Sequence, residues 1–133
     1  MSESSLMREI QLALTKAGCV LFRNNCGQYQ YAPGKYIRYG IANPGGSDLI
    51  GWYKGRFTAI EIKTPIGKLT KEQARFLHAV QLAGGIAFMA RSVEDALDYF
   101  RRHITREAVE RGNAAGLQGS GSGAPKQGSG VPD

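Results

Sequence analysis

The spacing of apolar residues near the start of the chain predicts an amphipathic helix. Residues 6–17 carry apolar side chains at intervals of three and four, which places them on one face of a helix. These side chains belong to Leu6, Ile10, Ala13, Leu14 and Ala17. Ser4 or Ser5 can cap this helix at its N-terminus, and Gly18 can end it.

Short apolar segments farther along the chain predict strands. Residues 19–23 are typical of a brief buried strand, and residues 86–91 are typical of another. Residues 47–63 contain two apolar runs on either side of Lys54-Gly55, which predicts a β-hairpin with a two-residue turn. The stretch between the first strand and this hairpin fits either a long loop or an irregular hairpin around Pro33-Gly34.

Two further helices follow the predicted hairpin. One spans residues 70–83, where Thr70 and Gln73 fit a capping box. The other begins at Ser92 and extends to about Tyr99–Arg102. A strand, a helix and a strand then succeed one another in the second half of the chain, and such a unit makes its two strands parallel.

The order of these elements predicts an α/β fold, with a small mixed sheet flanked by helices in the order α-β-β-β-α-β-α. We assign one folded domain to residues 1–111, because a chain of 133 residues suits a single domain. Residues 112–133 are rich in Gly, Ser and Pro and carry almost no apolar side chains. We predict that they form a disordered tail.

The net charge of the chain indicates which kind of partner it binds. It has 17 Lys and Arg residues against 11 Asp and Glu residues, a net charge of +6, which suggests a polyanionic partner. Cys19 and Cys26 have neither zinc-site spacing nor a disulfide framework, and we expect Cys19 in the core. There is no signal peptide and no apolar run near 18 residues, so we expect a cytoplasmic protein without membrane contact.

Two charged side chains interrupt the strand FTAIEIK. Glu61 and Lys63 project to one face of this strand, and Ile62 projects to the other. A two-residue turn at Lys54-Gly55 sets Asp48 directly opposite Glu61, whereas a three-residue turn would set it opposite Ile62. Paired carboxylates repel each other unless a cation or a proton lies between them, and oxygen ligands suit Mg²⁺ or Mn²⁺. The predicted register therefore indicates a divalent metal site.

Other polar side chains can complete such a site, although each also fits an ordinary structural role. Lys63 can orient or deprotonate a water, or pair with Glu61 on an exposed strand. Glu9 lies beside the apolar face of the first helix, where the helix dipole alone favours an acid. Gln73 shares a helix face with apolar residues and so points inward, but it also fits the capping box.

The ordered set of these residues resembles the VRR-NUC family, which belongs to the PD-(D/E)XK nuclease superfamily. The resemblance begins at Glu9 and continues through the motifs GGSDLIG, IEIKT and KLTKEQ to about Arg91. In one departure from the family pattern, Ser47 stands where Pro usually precedes the Asp. The resemblance implies a PD-(D/E)XK-like fold.

The resemblance also implies roles for the site residues. Asp48, Glu61 and the backbone carbonyl of Ile62 would bind the metal, and Glu9 would complete the site directly or through water. Lys63 would be the catalytic lysine. The last member of the implied set is Gln73, which would support or orient the site.

The implied activity is Mg²⁺- or Mn²⁺-dependent hydrolysis of DNA phosphodiester bonds. In stand-alone, phage-type members of the family, the implied unit is a homodimer that acts on branched DNA such as Holliday junctions, in a bacterial or phage-infected cell. Two alternatives stay open. The chain can be a restriction- or repair-type nuclease that acts on flaps or duplex DNA, or a DNA-binding module that has lost cleavage.

Basic and hydroxyl side chains near these motifs are candidates for binding the DNA backbone without base contacts. They are Arg23, Lys35, Arg38, Lys54, Thr64, Lys68, Thr70, Lys71 and Arg75. Thr64 and Thr70 bound a segment that leads into a helix N-terminus, which can also hold a phosphate. Four tyrosines can stack on unpaired bases, but we favour packing or a dimer contact for them. They are Tyr29, Tyr31, Tyr36 and Tyr39.

Overall fold

The computed structural model describes residues 2–105, which form a four-stranded sheet, a separate two-stranded hairpin and three α-helices. The helices are α1 (Glu3–Lys16), α2 (Lys71–Leu82) and α3 (Val93–Tyr99). The strands are β1 (Val20–Arg23), β2 (Gly27–Ala32), β3 (Lys35–Tyr39), β4 (Leu49–Tyr53), β5 (Arg56–Ile62) and β6 (Ile86–Ala90). The predicted α/β class is confirmed, with two more strands than the sequence indicated.

The main sheet is mixed and has the strand order β1-β4-β5-β6. Strand β4 pairs antiparallel with both β1 and β5, whereas β5 and β6 are parallel. The parallel pair confirms the predicted strand-helix-strand unit around α2. Strand β5 is central, and its residues from Thr58 to Ile62 are all buried.

A two-residue turn sets the register between β4 and β5. Lys54 and Gly55 have φ angles of 48° and 79°, and positive φ at both central residues is typical of a type I′ turn. The register begins with Tyr53 opposite Arg56 and ends with Leu49 opposite Ile60, as predicted. Extension by one position brings Asp48, which directly precedes β4, to the level of Glu61.

Helices cover both faces of this sheet. On one face, Leu77 and Val80 of α2 pack against Ile50, Ala59 and Ala87 of the sheet. On the other face lies α1, which contacts β1 and β5. Side chains alternate along a strand, so Glu61, two positions after Ala59, lies on the face that α2 covers.

Helix α1 begins earlier than predicted but ends where predicted. Its N-cap is Ser2, whose side chain accepts a hydrogen bond from the backbone N–H of Ser5, so the predicted caps Ser4 and Ser5 are wrong. Polar residues ahead of Leu6 have enough helix propensity to extend the helix beyond its apolar face. The predicted end is confirmed, since Gly18 follows the helix with a φ of 110°.

The segment between β1 and β4 is the irregular hairpin rather than the long loop. Strands β2 and β3 pair around Pro33-Gly34, with a β-bulge between Gln30 and Ala32. All four tyrosines of this hairpin are exposed. Of the two favoured roles, packing within the chain is therefore wrong, and a dimer contact stays a prediction. The tyrosines are exposed because the hairpin forms its own two-stranded sheet, apart from the main one.

The chain divides into two units after Asp98. Before this point, Ser92 accepts a hydrogen bond from the backbone N–H of Asp95, which confirms the predicted start of α3. In the second unit, a π-helical turn spans Phe100–Thr105. The predicted tail of residues 112–133 lies outside the described residues. Within the described residues, no helix combines the length and the apolar character needed to span a membrane.

Candidate active site

Two carboxylates meet where β4 begins and β5 ends. Asp48 directly precedes β4, and its Oδ2 accepts a hydrogen bond of 2.8 Å from the backbone N–H of Ile62. Glu61 is 3% exposed and is the one charged side chain that is buried within residues 2–105. A backbone hydrogen bond thus fixes one carboxylate beside the strand that carries the other.

Glu61 has partners for one oxygen only. Its Oε2 accepts a hydrogen bond of 3.0 Å from Nε2 of Gln73 and lies 3.6 Å from Nζ of Lys63. Its Oε1 is buried and accepts no hydrogen bond within the described part of the chain. Leaving a buried carboxylate oxygen without a partner is costly, so the site has a built-in place for a cation or a proton.

Gln73 connects the helix to the carboxylate. Its Oε1 accepts a hydrogen bond of 2.9 Å from the backbone N–H of Thr70, and its own backbone N–H donates to the hydroxyl of Thr70. These two bonds are the predicted capping box. The remaining amide group donates to Glu61, so a single side chain both caps α2 and holds the buried acid.

The environment of Glu61 favours its protonated form when no metal is bound. Burial is the main cause, and together with the charge of Asp48 it raises the pKa of Glu61 from 4.5 to about 8. The positive charge of Lys63 lowers the pKa of Glu61. The positive charge nearby is therefore insufficient to compensate for burial, and a divalent cation would supply the missing compensation.

The donor set fits a hard divalent cation. Asp48 and Glu61 offer oxygen ligands at one point, and Oε1 of Glu61 is already free of hydrogen bonds within residues 2–105. Mg²⁺ binds through one or two carboxylates and keeps several waters, so it does not need a closed cage of side chains. The backbone N–H of Ile62 donates to Asp48. The carbonyl of the same residue stays a predicted metal ligand.

A cleft adjoins the carboxylates. It has a volume of about 650 Å³, and Asp48 lies in its wall. Met7, Arg23, Asn24, Asn25, Cys26 and Tyr39 complete the lining. The cleft therefore borders elements from α1, β1, β3 and β4, and it gives a ligand access to one of the two acids.

Comparison with known protein families matches the VRR-NUC domain over residues 27–94. The chain belongs to the VRR-NUC family. The match contains Asp48, Glu61, Lys63 and Gln73, the four side chains that the structure places together, and it begins after Glu9. VRR-NUC domains have a PD-(D/E)XK-like fold and a nuclease-type function in DNA processing. Among curated proteins, none matches this chain.

Glu9 of this VRR-NUC domain is not brought to the carboxylate pair. The side chain is exposed, and no group of three His, Cys, Asp or Glu side chains suited to a metal occurs among residues 2–105. The buried face of α1 consists of Met7, Ile10 and Leu14, and at 100° per residue Glu9 points roughly 130° away from its centre. The sequence had placed Ala17 on that face, but Ala17 is exposed. Direct ligation by Glu9 is therefore unsupported, and its role through water stays a prediction.

Glu3 is the second acid on α1, and its side chain is exposed like that of Glu9. It precedes Met7 by four residues and so lies on the same helix face, one turn closer to the N-terminus. A hydrogen bond of 2.8 Å from Gln11 to the carbonyl of Leu21 aligns the middle of α1 with the start of β1. The N-terminal turn of α1 therefore lies toward the end of β1, where Met7 lines the cleft with Asp48.

Asn24 supports the site from the backbone side, and nothing in its sequence context singled it out. Its Nδ2 donates to the carbonyls of Ile41 and Ser47, and its Oδ1 accepts from the N–H of Ile41. Its own backbone N–H donates to the carbonyl of Asp48 at 2.8 Å. One asparagine thus fixes the loop that delivers Asp48. Ser47, at the position of the usual Pro, is buried, and its hydroxyl has no partner among the described residues.

Arg91 holds the loop that follows Lys63. Its Nη1 donates to the carbonyl oxygens of Thr64 and Gly67, at 2.5 and 2.7 Å. These bonds fix the loop between β5 and α2 against the end of β6. The carbonyl of Thr64 is engaged in this way, and the hydroxyl of Thr70 caps α2. DNA binding by these two threonines stays a prediction.

The basic candidates divide by position. Arg23 lines the cleft, and Lys35 and Arg38 lie on the exposed strand β3. Three exposed side chains surround the start of α2, and they belong to Lys68, Lys71 and Arg75. Lys54 lies at the turn, one strand length or roughly 17 Å from Asp48, so the structure does not bring it to the site.

Proposed function

We propose that this VRR-NUC protein is a Mg²⁺-dependent, structure-selective DNA endonuclease, and that its substrate is branched DNA of the Holliday-junction type. The observation that carries the proposal is the buried Glu61 beside Asp48, with one oxygen unpartnered among the described residues. Burying such an acid reduces the stability of the fold, and a cation-dependent activity accounts for its presence. Mn²⁺ is expected to substitute for Mg²⁺.

The metal would be held by Asp48, Glu61 and the carbonyl of Ile62. When bound there, Mg²⁺ supplies charge stabilisation to a phosphate and lowers the pKa of a bound water. The chain prepares this position in two ways. The N–H of Ile62 fixes the carboxylate of Asp48, and Gln73 binds Oε2 of Glu61, which leaves Oε1 without a hydrogen bond among the described residues.

Lys63 is the proposed catalytic lysine. Its ammonium group lies 3.6 Å from Glu61 and is mostly shielded from solvent. From this position it orients the attacking water or stabilises the charge that develops on the phosphate oxygens. The attack occurs in line with the leaving 3′ oxygen. Gln73 does not touch the phosphate and acts as a positioning residue for Glu61.

Binding of the DNA backbone falls to the basic side chains around the cleft and at the start of α2. They are Arg23, Lys35, Arg38, Lys68, Lys71 and Arg75. Such contacts release counterions, so DNA affinity should fall steeply with salt. Two symmetric cuts in a four-way junction need two sites, and we propose that a twofold homodimer provides them.

A cleavage assay with end-labelled linear duplex, flap, nicked and four-way DNA tests the proposal. Each substrate is incubated with Mg²⁺, Mn²⁺ or EDTA. We expect metal-dependent cutting that is fastest on the four-way substrate. Absence of metal-dependent cutting on every substrate would refute the enzyme, and equal rates on linear and four-way DNA would refute junction selectivity.

The Lys63→Ala variant tests whether Lys63 contributes to the cleavage step or to DNA binding. We expect cleavage to fall at least about 100-fold on every substrate, because charge stabilisation of this kind is worth that much. DNA affinity in EDTA should stay within about twofold of the wild type. Lys54→Ala removes an exposed lysine from the opposite end of the sheet and serves as the control. A similar loss in both variants would mean that Lys63 contributes only general charge.

A further inference from the structure

The hairpin of β2 and β3 has one aromatic face and one polar face. Directly paired residues share a face, and the pairs Gly27 with Tyr39 and Tyr29 with Ile37 lie on the same side. The three large side chains of this aromatic face are between 51% and 62% exposed. Tyr31, at the bulge, is exposed as well.

The opposite face is polar. Here Gln28 pairs with Arg38, and Gln30 pairs with Tyr36. Between Asn24 and Ser47 the chain contains Lys35 and Arg38 as charged residues and no Asp or Glu. The hairpin is therefore cationic along its length and carries no carboxylate.

A two-stranded hairpin that buries neither face gains little stability from packing. Exposed rings grouped on one face are typical of an interaction surface rather than of ordinary surface residues. The cationic character favours a polyanion as the partner. Two copies of this hairpin placed with their aromatic faces together would bring Lys35 of each copy, which lies on that face, near that of the other, which opposes self-association.

Asparagines fix the base of the hairpin beside the active site. Asn43 donates from Nδ2 to the carbonyl oxygens of Gly27 and Tyr39, the first pair of the hairpin, at 2.8 and 2.9 Å. Asn24 attaches the adjoining chain to the carbonyl of Asp48. Tyr39 and Asp48 line the same cleft. The aromatic face therefore begins at the cleft and extends away from it.

We propose that the aromatic face of Tyr29, Ile37 and Tyr39 binds unpaired nucleotides next to the cleavage site. Bases stack on the tyrosine rings, and Lys35, which shares the face of Ile37 and Tyr39, binds an adjoining phosphate. The hairpin thereby selects DNA in which bases are already unstacked. This inference rests on the proposed nuclease function, and it assigns the substrate recognition of the same site to a separate element.

Fluorescence anisotropy in EDTA tests the hairpin without cleavage. The probes are a fluorescein-labelled single-stranded oligonucleotide and a labelled duplex of the same length, at one fixed salt concentration. We expect Tyr29→Ala to weaken single-strand binding at least about fivefold, because loss of one stacking platform has an effect of that size. Duplex affinity should change less than twofold, and Tyr29→Phe should retain single-strand binding.

Tyr36→Ala is the matched control, since Tyr36 belongs to the same hairpin, is similarly exposed and projects from the polar face. It should bind both probes like the wild type. Equal loss with Tyr29→Ala and Tyr36→Ala, equal loss on duplex, or no loss would each overturn the proposal. Light scattering gives the remaining outcome, since a Tyr29→Ala dimer that dissociates would show the face to be a contact between copies.

The two proposals fail separately. If the wild type cuts no DNA with any metal, the nuclease function is refuted whatever the anisotropy shows. If it cuts but Tyr29→Ala binds single strands normally, only the hairpin assignment is refuted. Circular dichroism on each variant verifies the fold.

Discussion

The carboxylate site and the β2–β3 hairpin depart from ordinary protein architecture in opposite directions. The first buries an acid, Glu61, beside a second acid, and the second exposes a row of aromatic rings to solvent. Each departure makes the folded chain less stable than an ordinary arrangement would. The two regions lie side by side, since Tyr39 and Asp48 line one cleft.

The regions also differ in how firmly they are held. The strand register, a hydrogen bond to Ile62 and the amide of Gln73 determine the positions of the two acids. The hairpin is held at its base, where Asn43 bonds to its first pair. Chemistry requires fixed atoms, whereas recognition of irregular DNA tolerates adjustment. The difference therefore supports a division of labour between catalysis and substrate choice.

Removal of the buried acid Glu61 is the strongest test of this division between catalysis and substrate choice. Glu61→Gln keeps the shape of the side chain but removes its charge and most of its affinity for a cation. We expect cleavage to fall at least about 1,000-fold on every substrate, because metal and water activation are lost together. Gel assays with linear and four-way DNA measure this loss. A loss confined to four-way DNA would contradict the division, since it would assign substrate choice to Glu61.

The pH dependence of stability tests the burial of Glu61 directly. The pKa of Glu61 rises from 4.5 to about 8 on folding, so the folded state binds more protons between these values. The free energy of unfolding in EDTA should therefore decrease as pH rises from 4.5 to 8, by at most about 1.4 kcal/mol per pH unit. Urea denaturation at several pH values measures this slope.

The matched variant for this measurement is again Glu61→Gln, which cannot titrate. Its stability should lack the downward slope of the wild type over the same interval. An identical slope in both proteins would show that another group causes it and that Glu61 is not held in its acidic form.

The dual role of Gln73 gives a smaller effect. Thr70→Ala removes the cap of α2 and should lower stability by about 1 kcal/mol while cleavage stays near the wild-type rate. Gln73→Ala removes the cap bond and the bond to Glu61, and we expect cleavage to fall about tenfold in addition. Paired stability and rate measurements separate the two roles. Equal cleavage by both variants would reduce Gln73 to a helix cap.

The smallest expected effect concerns the acids on α1. Glu3 is one helical turn from Met7, which lines the cleft, so we expect Glu3→Gln to raise the Mg²⁺ concentration needed for half-maximal cleavage a few-fold. Glu9→Gln should change it less than twofold, because Glu9 points away from the buried face of α1. Mg²⁺ titrations of both variants measure the difference. A larger increase in the Mg²⁺ requirement for Glu9→Gln than for Glu3→Gln would support Glu9 as the acid that acts through water.

Local signals made much of the fold and site predictable. The turn at Lys54-Gly55 determines the pairing of β4 with β5, and so the sequence alone placed Asp48 level with Glu61. The capping box of Thr70 and Gln73 was readable from adjacent residues. Such features depend on backbone conformations that a few neighbouring residues impose.

Features that depend on distant partners could not be read in this way. The bonds of Asn24 reach residues 17 and 23 positions away, and those of Arg91 reach back 24 and 27. The bond from Gln73 to Glu61 links a helix to a strand. Packing of the tyrosines within the chain, one of their two favoured roles, was wrong because a separate hairpin leaves no sheet face for them to cover.

The turn at Lys54-Gly55 has a consequence for how this chain can tolerate change. Exposed loop tips ordinarily accept inserted residues. Here an added residue that left a two-residue turn between Lys54 and Arg56 would shift the pairing of β4 and β5 by one position and present Ile62, instead of Glu61, to Asp48. The length of this exposed turn, at the far end of the sheet, therefore determines which residue of β5 lies opposite Asp48 in the candidate active site.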